Sequence, residues 1–93
     1  MTVYETMRAK LDTAFTPVTL DIVDESHKHA GHVGARPEGE THFRVTIVSD
    51  AFDGASRVQR YRLVHDVLAE ELKERVHALA LVLRTPAEVS ERS

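Results

Sequence analysis

Residues 40–62 read ETHFRVTIVSDAFDGASRVQRYR, and a change of rhythm inside this stretch decides the fold. Over 42–49, Phe43, Val45 and Ile47 fall on one face and His42, Arg44 and Thr46 on the other, the two-residue period of a half-buried strand. Asp53-Gly54 then signals a turn. Ser56 and Gln59 follow at capping-box spacing, where each side chain satisfies a backbone N–H that the first helical turn leaves unpaired. The spacing predicts a helix from there to about Lys73. Val58, Tyr61, Val64, Leu68 and Leu72 share an arc of roughly 120° at ~100° per residue.

The elements on either side complete the pattern. Val76–Leu83 is nearly all apolar after His77, the composition of a strand covered on both faces. Strand, helix and strand form a crossover unit with parallel strands and a right-handed connection. Thr85, Pro86 and Glu88 supply N-cap, first position and third position of a short last helix. On the N-terminal side, residues 18–24 alternate, with Val18, Leu20 and Ile22 facing one way and Thr19 and Asp21 the other. This strand and 42–49 make an antiparallel hairpin, joined by a polar connection of roughly 16 residues where 2–5 is usual. Residues 2–15 form a helix, capped by Thr2 and Glu5, with Met7, Leu11 and Phe15 on its inner face and Pro17 as its stop. The order α-β-β-α-β-α implies an α+β sandwich: a small mixed three-stranded sheet with helices on one face, in a single domain over 1–93.

Composition narrows the function. The 93 residues are 42% hydrophobic and 29% charged, with no Cys or Trp, two Tyr and three Phe. Aliphatic side chains must therefore build the one core that such a length allows. No apolar run approaches the ~18 residues needed to cross a membrane, and MTVYETMRAK lacks a secretory pattern. With no thiol, a reducing, cytoplasmic home is expected. The net charge of −3 gives no global attraction to nucleic acid, so such binding needs a local basic patch. No Ser/His/Asp elbow, Cys nucleophile or phosphate-cradling Gly-rich loop is present, and catalysis is not expected.

Six histidines stand out. Three lie in ESHKHAGH (25–32), and three readings compete for them: zinc ligands, solvated loop residues, or part of a site completed elsewhere. His42 reads as structural, His65 as a partly buried edge residue of the long helix, and Tyr61 as core. SRVQRYR (56–62) offers Arg57, Arg60 and Arg62 to phosphates. In a helix, however, Arg57 and Arg60 lie about 60° apart while Arg62 points away, which equally suits a solvated helix start. Glu70, Glu71 and Glu74 read as solvated surface.

The stretches DESHKHAGH (24–32), ETHFRVTIVSDAFDGASRVQRYR (40–62) and VHALALVLRTPAE (76–88) resemble the BolA family in motif, order and spacing across nearly the whole chain. The resemblance implies a fold related to class II KH domains. It also implies a monothiol glutaredoxin as partner, the free protein being a monomer and the pair a heterodimer that shares a [2Fe–2S] cluster. Two family histidines are implicated as ligands. One corresponds to His77, and the loop ligand corresponds to His29, with His32 second and His27 third. One departure is clear: where the family often has Arg-His-Arg, this chain has Arg60-Tyr61-Arg62, so no role of that histidine transfers to Tyr61. Histidine can replace cysteine on iron. A chain without Cys would draw its sulfur ligands from the glutaredoxin and from glutathione, and no cluster is expected on the isolated protein. Ligation requires neutral imidazole, so affinity should fall below about pH 6.5. The family also implies an alternative, a DNA-binding transcriptional regulator using Arg57, Arg60 and Arg62. Against it, the GxxG of nucleic-acid-binding KH domains is missing at the expected helix junction, where FDGASR has one Gly.

Overall fold

In the computed structural model, residues 2–25 and 42–92 are described. Helix α1 spans Val3–Phe15 and begins on the expected capping box. The Glu5 N–H donates to Thr2 Oγ1 at 3.0 Å and the Thr2 N–H donates to Glu5 Oε1 at 3.1 Å. Met7, Leu11 and Phe15 form its buried face. The helix ends at Thr16, whose φ of 43° turns the chain into the left-handed region before Pro17.

Strand β1 (Thr19–Asp24) pairs antiparallel with β2 (His42–Val48), and β2 pairs parallel with β3 (Ala78–Arg84), giving the order β1-β2-β3. The predicted long helix is two helices, α2 (Arg57–Val67) and α3 (Ala69–Glu74). They meet at Leu68, whose φ of −102° and ψ of 19° depart from helical values. Hydrogen bonding passes through the joint, since the Leu68 N–H donates to Val64 O and the Leu72 N–H to Leu68 O. Leu68 itself is fully buried, so the bend sits where the chain meets the core, with no Gly or Pro to mark it. Helix α4 (Pro86–Arg92) closes the chain. The result is a small α+β sandwich with a mixed three-stranded sheet and helices on one face, its core built from Met7, Leu11, Phe43, Ile47, Val64, Leu68 and their neighbours.

Two polar links, one buried and one partly buried, tie the layers together. Ser49, 1% exposed, follows β2; its hydroxyl donates to the Phe15 carbonyl at 2.6 Å and accepts from the Ala51 N–H at 3.0 Å. Arg60 on α2 grips Glu88 on α4 through both carboxylate oxygens, at 2.7 and 2.9 Å. Glu88 also completes the capping box with Thr85, accepting from its N–H at 2.8 Å.

Two sequence expectations change. Strand β3 is not covered on both faces. It is an edge strand among the described residues, with Leu83 buried, Leu79 and Leu81 half-buried, and Ala78 and Ala80 exposed. An apolar run counts alanine as core material, whereas a methyl group is small enough to face water at little cost. Val18 is 71% exposed because it lies one residue outside β1, at the end of the sheet.

Candidate functional site

The histidine end of the sheet follows from strand register. His42 pairs with Ala78 across the parallel β2–β3 ladder, so His77, one residue before β3, comes beside the first residue of β2. Their ring centroids are 6.3 Å apart with planes inclined at 36°. His77 is exposed and His42 half-buried. The same corner anchors the long connection at both ends. The Glu25 N–H donates to the His42 carbonyl at 2.7 Å, and the Glu25 carboxylate lies 3.3 Å from Arg44 Nε. Glu25 and His42, which flank the connection, thus lie at the same end of the sheet as His77. His27, His29 and His32 lie within it and outside the described residues.

Among the described residues no three His, Asp or Glu side chains gather to hold a metal ion. What the corner does offer among the described residues is nitrogen without sulfur: the exposed imidazole of His77, with the half-buried His42 ring beside it. That donor set fits a shared iron–sulfur centre, whose sulfur ligands would come from outside a chain with no cysteine. His42 was read as structural from its place on the polar face of β2. Its neighbour is set by the β2–β3 register, to which alternation along a single strand is blind.

The remaining candidates separate. Tyr61 is half-buried rather than core, and its hydroxyl accepts from Arg57 Nε at 3.2 Å. His65 is exposed rather than partly buried, since the side of α2 that meets the core is carried by Val64 and Leu68. The three arginines do not form one surface. Arg57 is exposed, with its guanidinium 5.7 Å from the Tyr61 ring centre. Arg62 is exposed and lines a separate hollow with Asp53 and Gln59. Arg60 has a side chain only 13% exposed and donates to Ala55 O at 3.0 Å and Leu83 O at 3.2 Å as well as to Glu88. Its hydrogen bonds and charge, with help from the Thr85 N–H, hold the Glu88 carboxyl at about 2, and Glu88 in turn pushes the Arg60 guanidinium upward. Arg60 is structural.

With this geometry in place, comparison with known proteins is informative. The family model for BolA-like protein matches residues 11–88. The chain is 51% identical over 87 residues to SufE-like protein 1, chloroplastic/mitochondrial, of Arabidopsis thaliana, covering 89% of this chain and 24% of that protein. It is 50% identical over 84 residues to protein BOLA1, chloroplastic, of the same plant, covering 88% of this chain and 52% of that protein. The solved structure of Arabidopsis BolA1 superposes with a TM-score of 0.85 at 46% identity, covering 95% of this chain and 96% of that one. The Escherichia coli DNA-binding transcriptional regulator BolA is 46% identical over 81 residues, covering 87% of this chain and 73% of that protein. The chain thus spans about half or less of the two plant proteins. The expected cytoplasmic location is overturned by these plant relatives, which are chloroplastic or chloroplastic/mitochondrial. The physical reason is simple: a chain with no thiol carries no record of the redox compartment that houses it. On the family match and these identities, the chain belongs to the BolA-like family.

Proposed function

We propose that this chain, a single BolA-like domain over residues 1–93, is an iron–sulfur and iron-homeostasis adaptor rather than a catalyst. It binds a monothiol glutaredoxin and shares a [2Fe–2S] cluster with it as a heterodimer. His77 supplies one ligand and His29 the other, with His32 as the alternative in the loop. The observation that carries this reading is the exposed His77 imidazole at the same end of the sheet as Glu25 and His42, the residues that flank the histidine-rich connection. Kinship with a SufE-like protein agrees with it. Imidazole in place of thiolate would raise the potential of the bound cluster. In this chain the parallel pairing of β2 with β3 sets the place of His77.

The test is anaerobic reconstitution with a monothiol glutaredoxin, iron, sulfide and glutathione, followed by visible absorption and circular dichroism. The wild type should give a mixed-cluster spectrum that His77→Ala abolishes. Comparison of His29→Ala with His32→Ala assigns the loop ligand. If every histidine variant matches wild type, the adaptor reading fails.

A second reading has one observation in its favour, the 46% identity to a DNA-binding transcriptional regulator. It would use a class II KH-like topology, with Arg57 and Arg62 on phosphates. Arg60, the third arginine of that set, is already committed to Glu88. A salt-dependent affinity for duplex DNA that weakens in Arg57→Gln would support it.

A further inference from the structure

A cleft lies at the end of β3 away from the histidines, about 20 Å along the strand at ~3.3 Å per residue. Its volume is about 470 Å³, and its walls come from the start of α2, the end of β3 and Glu88 of α4. The charge balance inside it is uneven. Three guanidinium groups, Arg57, Arg60 and Arg84, face one carboxylate. Arg60 and Glu88 neutralise each other through two short hydrogen bonds, and Asp53 adds its attraction to the same Arg60. Arg57 and Arg84 have no carboxylate within ion-pair distance among the described residues. Tyr61 lines the same cleft, and its oxygen already accepts from Arg57, so its remaining hydrogen-bonding capacity is a donated proton. Leu81 and Val82 of β3 also line the cleft, their side chains on alternate faces of the strand. The cleft therefore holds more guanidinium charge than is balanced by its one carboxylate, Glu88, which Arg84 also feels. It combines this charge with aliphatic surface, in a chain whose net charge is −3.

We infer that this cleft binds a phosphate ester, its charged end held between Arg57 and Arg84 with the Tyr61 hydroxyl as a further donor, and its organic part lying against Leu81 and Val82. Phosphate matches paired guanidinium groups better than a single carboxylate does, because its several oxygens accept from both sides at once. The volume suits an ester of mononucleotide size. A free nucleotide and a nucleic-acid backbone both present this chemistry, and the experiment separates them.

The experiment is a titration of the full chain followed by amide NMR, using inorganic phosphate, AMP, adenosine, duplex DNA and sodium chloride at matched ionic strength. AMP should shift the amides of Arg57, Tyr61 and Arg84 to saturation, whereas adenosine and chloride should not. Arg84→Gln and Arg57→Gln should each weaken binding about tenfold, the size expected for one charge-assisted hydrogen bond. Arg62→Gln, outside the cleft, should change it less than about twofold. Arg57 is exposed, so its variant reports on binding even if Arg84→Gln perturbs the fold. Saturation of the same amides by DNA but not by AMP, lost in Arg57→Gln, assigns the polymeric source of the same phosphate chemistry. Shifts that never saturate, that chloride reproduces, or that survive Arg57→Gln unchanged overturn the inference.

Discussion

Replacing Ser49 by alanine isolates the contribution of a single buried hydroxyl. The Ser49 side chain lies between the end of β2 and the end of α1, where it donates to the Phe15 carbonyl at 2.6 Å. That carbonyl belongs to the last helical turn, whose C=O groups have no partner within the helix. Alanine removes the donor and leaves no replacement in a region where Ser49 is 1% exposed and Phe15 is 6% exposed. The second bond lost, from the Ala51 N–H, counts for less because Ala51 is exposed and water can take over. An unsatisfied buried acceptor costs about 1–3 kcal/mol, so the expected loss is about 2 kcal/mol. For a chain of 93 residues, unfolding entropy at the midpoint is about 0.2 kcal/mol/K, and the melting temperature should fall by about 10 °C. Differential scanning calorimetry measures this directly. Thr13→Ala, at an exposed position of the same helix, serves as control and should move the midpoint by no more than about 2–3 °C. If Ser49→Ala shifts no further than that control, the hydroxyl is not holding α1 to the sheet, and the reasoning is wrong.

Leu68→Ala removes a fully buried side chain at the α2–α3 joint and should cost about 2–5 kcal/mol in urea unfolding, with an unchanged dependence on denaturant. Glu88→Gln tests the clamp through pH. A carboxyl held at about 2 against an ordinary 4.5 contributes stability above pH 4.5 that is lost as pH falls towards 2. Wild type should weaken across that window, while Glu88→Gln should be less stable at neutral pH and lack that part of the slope. His77→Ala should leave the melting temperature within about 3 °C of wild type, because the side chain is exposed, even as it abolishes the mixed cluster. A large loss of stability would mean that His77 serves the scaffold.

What could be read in the chain is what depends on near neighbours. The capping pairs Thr2–Glu5, Ser56–Gln59 and Thr85–Glu88 each lie three residues apart, and all three form as expected. The alternation of Phe43, Val45 and Ile47 likewise places them in the core. Features that depend on distant partners were hidden. The commitment of Arg60 is decided by Glu88, 28 residues away, and the exposure of Ala78 and Ala80 by the helices covering only the other face of the sheet. The bend at Leu68 has no local marker at all. At the histidine corner, His77 came from family resemblance, whereas its proximity to His42 emerged only from the parallel register.

That parallel register also sets a timetable for biosynthesis. The hairpin of β1 and β2 can close as soon as Val48 has been made, but β3 cannot join until both crossover helices and its own residues through Arg84 have followed. At ~5–20 residues per second, the strand destined for the centre of the sheet therefore spends a few seconds as an open edge, its Phe43, Val45 and Ile47 side chains only partly covered. Nascent chains are most exposed to strand-to-strand association in this interval. Slowing translation between residues 48 and 84 would prolong that exposure without altering a single contact of the finished fold.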